Sequence, residues 1–282
     1  MGVLLAMIVG NPYIGKTRKL TKPMLAWSIV GLGAGINLTM VLKAGIEGFF
    51  FTFISLAATL LAGFWIGKLF KTSREMSALI NVGTAICGGS AIAAVSSAIR
   101  AKDETISVSL GVVFILNAVA LFIFPFIGHL AGFTQDQFGL WAALAIHDTS
   151  SVVGAAMQYG ERALEVGTTV KLVRALWIIP VTLLFAKFFD RSEDKSSLPR
   201  QYPWFIGGFV LMSAIVTSFE SLQPYGHQLE WLAKRTLVAT LFLIGSGLTL
   251  EALKKVGLKT FLHGVTLWIL IATCSLLFIK TN

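Results

Sequence analysis

Apolar residues dominate this chain in stretches long enough to cross a bilayer, separated by short polar loops. Nine such segments are predicted, at 24–42, 47–67, 77–99, 105–131, 138–158, 164–189, 203–219, 231–251 and 258–279. Each comes close to the roughly 20 residues a helix needs to cover a ~30 Å hydrocarbon core. The start of the chain differs. Residues 3–9 are apolar but supply only about half that length, so 1–22 reads as the tail of a truncated first helix followed by a basic cytoplasmic loop. A cleavable leader would place its basic residues before the apolar run, whereas Lys16, Arg18, Lys19 and Lys22 follow it. The expected fold is an all-α polytopic membrane protein of about 9–10 transmembrane helices, forming one transmembrane domain over 1–282.

Two segments are interrupted at mid-length. The third carries Gly83-Thr-Ala-Ile-Cys-Gly-Gly-Ser-Ala-Ile-Ala-Ala94, and the fifth carries Ala145-Ile-His-Asp-Thr-Ser-Ser-Val-Val-Gly154, aligned with 85–94 at an offset of 60. Adjacent glycines weaken a helix, and Ser, Asp and Thr start a new one, so each segment is expected to break into two half-helices. Unpaired backbone at that depth persists only where protein buries it or where it lines a watery cavity, which makes the breaks candidate binding positions. Close packing of small residues is the plainer explanation of the glycines. The two segments are expected to run in the same direction and to cross near mid-membrane, aiming two helix N-termini into one space.

A repeat adds to this picture. Gly33-Ala-Gly-Ile-Asn-Leu-Thr39, Lys43, Gly45 and Phe49 match Gly245-Ser-Gly-Leu-Thr-Leu-Glu251, Lys255, Gly257 and Phe261 at an offset of 212. Seven crossings separate the copies, so they enter the membrane from opposite sides, as the halves of an inverted-repeat transporter near 24–67 and 236–279 do.

The chain carries 23 Lys and Arg against 14 Asp and Glu. In a soluble protein that excess would suggest nucleic acid, but here the cations cluster between apolar segments, and nucleic acid is not expected. Loops 11–22, 68–75, 132–137, 187–200 and 252–259 hold 14 of them, and the other side with the C-terminal end holds 7. The richer side is expected to be cytoplasmic, in a multi-pass protein of the cell inner membrane. Cys87 and Cys274 both lie in apolar segments, so no disulfide framework, metal site or cofactor is indicated.

The remaining chemistry is sparse and deep. His147 and Asp148 stand in the fifth segment, where ionisable groups are costly and serve as coupling groups, ligands or gates. Asp148 as a helix cap and His147 as a neutral donor to a carbonyl are the structural alternatives. Lys171 and Arg174, three residues apart on one helical face, add two cations at that depth, with snorkelling as the alternative. Two helix N-termini and two cations against one carboxylate favour an anionic solute. Asn81, Asn117 and Gln158 are read as interhelical hydrogen-bonding residues.

These motifs, with Lys102-Asp-Glu104, Phe138-Gly-Leu-Trp141, Ile146-His-Asp-Thr149 and Leu172-Val-Arg174, resemble the YeiH-type membrane proteins, also called the sulfate exporter family, over nearly the whole chain. The order Gly-x-Gly-Ile-x-Leu, then Cys-Gly-Gly-Ser, is similar to the bile-acid symporter superfamily. That resemblance implies a panel-and-core transporter working by alternating access. Members of the family carry one or two further helices before the position where this chain starts.

The expected function is a secondary transporter, not an enzyme, exporting a small anion such as sulfate or a sulfonate. Gly88, Gly89, Ser90, Thr149 and Ser150 would donate to the substrate, and Lys171 and Arg174 would hold its charge. Asp148, with His147, would couple protons. An organic-anion or amino-acid carrier of the same fold is the nearest alternative, followed by an anion channel. An intramembrane serine hydrolase built on Ser90 and His147 is the remaining one. Membrane lipid is the expected surrounding, and a homodimer stays open.

Overall fold

The computed structural model describes residues 13–189, 204–246 and 257–281, and every regular element among them is a helix. In chain order these are α1 (Ile14–Leu32), α2 (Leu38–Leu69), α3 (Arg74–Ala85), α4 (Gly89–Ala98), α5 (Asp103–Ala131), α6 (Gln135–Ala145), α7 (Thr149–Tyr159), α8 (Glu161–Leu176), α9 (Ile178–Phe188), α10 (Trp204–Ser218), α11 (Gln223–Ser246) and α12 (Leu258–Thr281). Four stretches are long and apolar enough to span a bilayer: Val41–Leu69, Glu104–Ala131, Glu161–Phe188 and Leu258–Thr281. The protein is thus an all-α polytopic membrane protein.

The chain divides into two compact units, Met1–Ile46 with Pro203–Glu251 and Glu47–Tyr202 with Ala252–Asn282. In the smaller unit, α1 lies close on α11, where a Cβ at Gly31 would stand 2.7 Å from that of Ala233. The chain then makes a short 3-10 turn at Gly33–Gly35, and Asn37 Oδ1 accepts from the Thr39 amide to open α2. Ser213 of α10 donates to the Ile36 carbonyl at 2.5 Å, satisfying a group that the turn leaves free.

Two boundaries differ from the sequence pattern. Helix α1 begins at Ile14, so the basic stretch 16–22 is helical, and α2 runs unbroken through Lys43. The division between the first two segments therefore falls at 33–37, where Gly33, Gly35 and Asn37 outweigh the single Lys at 43. The stub at 1–12 and most of the second repeat copy, 247–256, lie outside the described residues.

The larger correction concerns the third and fifth segments, which do not pass through the membrane as crossing broken helices. Each is a pair of half-helices folded back on itself. In the second pair, the Tyr159 ring at the end of α7 stacks on Phe138 near the start of α6, with centroids 3.8 Å apart. Tyr159 Oη also donates to the Phe133 carbonyl at 2.6 Å. A continuous helix would hold these ends about 30 Å apart. In the first pair, Met76 Sδ near the start of α3 is 3.2 Å from Ser109 Oγ on α5. A Cβ at Gly83 would approach Ile92 Cδ1 of α4 to 2.9 Å.

The hairpins α3–α4 and α6–α7 enter from opposite faces. Along α5, Ser109 touches the base of the first hairpin, a Cβ at Gly88 would stand 3.2 Å from Val113 at its tip, and Asn117 meets Asp148 at the tip of the second. Gly128 lies against Phe138 and Tyr159 at the second hairpin's base. Helix α12 gives the same order: His263 meets Asn81, Trp268 meets Ala145, and Ile279 meets Gln137. The two aligned motifs thus occupy two tips that meet near mid-depth from opposite sides.

Candidate functional site

The tip junction brings together four helix ends, two ending in carbonyls and two beginning in amides. The first tip turns at Gly88, whose φ of +66° is a conformation that favours glycine. Its amide donates to the Gly83 carbonyl at 2.9 Å, closing the end of α3. A Cβ at Gly88 would be 3.4 Å from Asp148 Cβ, so the two tips are in van der Waals contact.

Most of the carbonyls at the two C-terminal ends are occupied. Arg174 on α8 is 0% exposed, and its Nε donates to Ala85 O at 2.6 Å while Nη2 donates to Thr84 O at 3.1 Å. Its Nη1 donates to Ala143 O at 3.0 Å and to Leu144 O. One guanidinium therefore joins the C-terminal end of α3 to that of α6. Lys171, also 0% exposed, donates to Ile146 O at 2.7 Å and Ala143 O at 3.3 Å. Trp268 Nε1 donates to Ala145 O at 3.1 Å. The four carbonyls that α6 leaves without intrahelical partners, 143 to 146, are all satisfied by side chains. Helix α8 reaches this depth because Gly139 and Gly167 let its backbone close on α6, where a Cβ at Gly139 would fall 2.8 Å from Ala163 O.

The amide ends are treated differently. Asp148 caps α7, its Oδ2 accepting from the Ser150 amide at 3.0 Å and from Ser150 Oγ. Its own amide donates to Asn117 Oδ1 at 3.1 Å. The amides of Gly89, Ser90, Thr149 and Ser151 have no protein acceptor among the described residues. Gly89 and Asp148 are half-buried and Ser90 is exposed, whereas Thr149 and Ser150 are buried. Ser90 falls one residue inside α4 and caps nothing, because the helix begins at Gly89.

His147 is buried, with Nε2 3.1 Å from Thr84 Oγ1 and Nδ1 without a partner. Ser90 and His147 make no hydrogen bond to each other, so no Ser/His dyad forms among the described residues. Asn117 Nδ2 is likewise buried and unpartnered. The sequence pattern read Asn117 as an interhelical hydrogen-bonding residue, which its bond to the Asp148 amide agrees with, but did not place it at the site, although an amide at the centre of a 29-residue apolar helix is a signal of its own. Nothing in the pattern pointed to Trp268 or Thr84. Among the described residues, no group of three His, Cys, Asp or Glu side chains is arranged for a metal ion.

At the base of the second hairpin, Arg162 pairs with Asp136 at 2.9 Å and Glu165 at 3.1 Å. It ties α6 to the start of α8.

A family model described as conserved hypothetical protein 698 matches residues 1–264. The chain belongs to that family. Its relatives include UPF0324 membrane proteins, among them one from Bdellovibrio bacteriovorus, 55% identical over 278 residues, covering 98% of this chain and 86% of the relative. One from Bacteroides thetaiotaomicron is 48% identical over 281 residues, covering 99% and 84%. One from Vibrio parahaemolyticus is 48% identical over 277 residues, covering 98% and 89%. No solved structure matches this UPF0324-like chain.

Proposed function

We propose that this protein is a secondary transporter of a small anion, with its substrate site at the junction of the two hairpin tips. The observation that carries this reading is the unequal treatment of the helix ends. Lys171 and Arg174 offset the two carbonyl ends, each worth roughly half a negative charge, while two amide ends retain roughly half a positive charge each. With Asp148 ionised, the junction keeps about one net positive charge, in a place where only anions or their mimics are favoured.

Gly89, Ser90, Thr149 and Ser151 supply the open amides of this site, Gly88 shapes the first tip with its own amide spent on the Gly83 carbonyl, and Ser150 becomes a donor once Asp148 releases it. Lys171 and Arg174 supply its field through the carbonyls they hold rather than by touching the substrate. Asp148, beside His147, is the proton-coupling group. Sulfate or a sulfonate, moved outward, is the cargo favoured by the resemblance to the sulfate exporter family. Tip-to-tip hairpins suit alternating access, because each tip can seal the site from one side. The match between 33–49 and 245–261 supports an inverted repeat relating other parts of the chain.

The larger unit's described residues place Lys68, Lys71, Arg74, Arg100, Lys102, Lys187 and Lys259 towards the first hairpin's base, and Arg162 and Lys280 towards the second's. That bias supports a cytoplasmic first face in the inner membrane.

The test is sulfate, methanesulfonate and taurine uptake into proteoliposomes containing the purified full chain. Saturable counterflow of sulfate supports the carrier. Taurine transport without transport of sulfate or of methanesulfonate, a sulfonate with no ammonium group, favours the amino-acid alternative, with Asp148 facing the ammonium group. Unitary currents indicate a channel, and absence of uptake and binding of all three solutes by folded protein refutes the anion reading.

A further inference from the structure

Asp148 has two jobs that are incompatible at one moment. A carboxylate oxygen that accepts from Ser150 N and Ser150 Oγ occupies the donors an external oxyanion would use. Beside it lies a donor with no partner among the described residues. Asn117 Oδ1 is committed to the Asp148 amide, which fixes the orientation of the side-chain amide and leaves Nδ2 beside the start of α7. Asn117 is 5% exposed and its Nδ2 has no partner, an arrangement that costs roughly 1–3 kcal/mol when left unmet in a protein interior. The amides of Thr149 and Ser151 complete the donor set.

We infer that Asn117 Nδ2 and the first turn of α7 form an oxyanion subsite, taking the charged head of a sulfate, sulfonate or carboxylate, whose resting occupant is the chain's own Asp148 carboxylate. This rests on the anion-carrier reading and names the residues and the coupling within it. Substrate enters when Asp148 takes up a proton and gives up the Ser150 donors. Proton and anion therefore bind together, without a relay between distant sites.

The other groups facing Asp148 are its neighbour His147, Cys87 on the opposing tip, and Lys171 with Arg174 on α8. Lys171 and Arg174 hold carbonyls, and Cys87 is a buried thiol. Asp148 is the carboxylate among them.

The experiment is calorimetric binding of sulfate, methanesulfonate and acetate to the full chain in detergent, at about pH 5 and about pH 8. Wild type is compared with Asp148→Asn and Asn117→Asp. Wild type should bind at least ~10-fold more tightly at the lower pH. Asp148→Asn, which keeps a cap but carries no charge, should bind at least ~10-fold more tightly than wild type at the higher pH and lose the pH dependence. Asn117→Asp keeps the acceptor for the Asp148 amide and replaces the free donor, so at the higher pH its affinity should fall ~10-fold or more while the protein still elutes as a monodisperse peak.

Binding by Asn117→Asp equal to wild type, or a pH dependence that survives in Asp148→Asn, overturns the subsite while leaving the anion reading in place. If no variant binds any of the three probes, both fail. A preference for one probe across all proteins identifies which oxyanion head the subsite takes.

Discussion

The carbonyl ends and the amide ends of the hairpins lie within one small volume and are handled in opposite ways. At the ends of α3 and α6, one arginine and one lysine from α8 and one tryptophan from α12 reach buried carbonyls. At the starts of α4 and α7, only Asp148 and Asn117 among the described residues reach in, and four amides have no acceptor among them. Both kinds of end carry comparable partial charge, so a purely structural junction would satisfy both. Closing one and leaving the other open separates scaffold from site.

Substitutions should follow this division in size. Arg174→Leu removes the bonds to Thr84, Ala85, Ala143 and Leu144 together and should cost ~3–5 kcal/mol or prevent folding, read as loss of a monodisperse peak in detergent. Arg174→Lys should recover only part, because an ammonium lacks the planar fork that spans both helix ends. Lys171→Met, which frees Ile146 O and leaves Ala143 O to Arg174, should cost ~2–3 kcal/mol in melting experiments. Gly88→Ala places a side chain at φ +66° and should cost ~1–2 kcal/mol. Trp268→Phe leaves only Ala145 O unmet and should cost ~1 kcal/mol. On the open side, Ser90→Ala should change stability by less than ~0.5 kcal/mol, because the residue is exposed. A large destabilisation by Ser90→Ala would show that the amide ends are scaffold too, and would remove the contrast.

Much of this was legible in the chain, and the rest was hidden for definable reasons. The breaks near 86–88 and 146–148 follow from Gly88, Gly89, Asp148 and Thr149, whose local preferences act without tertiary help. The fold-back does not. An interrupted apolar run of about 25 residues has the length of one crossing or of two half-crossings, and the contact that decides, Phe138 with Tyr159, is tertiary. One signal was available: cations flank the first hairpin on both sides, at Lys71 and Arg74 and again at Arg100 and Lys102, which suits two ends on one face. Lys171 and Arg174 stood out as intramembrane cations. Their partners did not, because backbone carbonyls have no signature in a sequence. Asp148 was legible both as a cap and as an ionisable group, and the structure unites those roles at one carboxylate.

The opposed hairpins are the central claim, and the most direct test is the sidedness of single cysteines. In a Cys274→Ser background, with Cys87 buried, cysteines at Lys71, Lys102, Asp136 and Glu161 would be labelled with an impermeant maleimide in intact and in permeabilised cells. The account predicts that positions 71 and 102 react from one face, and 136 and 161 from the other. Labelling of 71 and 102 from opposite faces, or of 136 and 161 from opposite faces, would make these segments through-going helices and contradict the account.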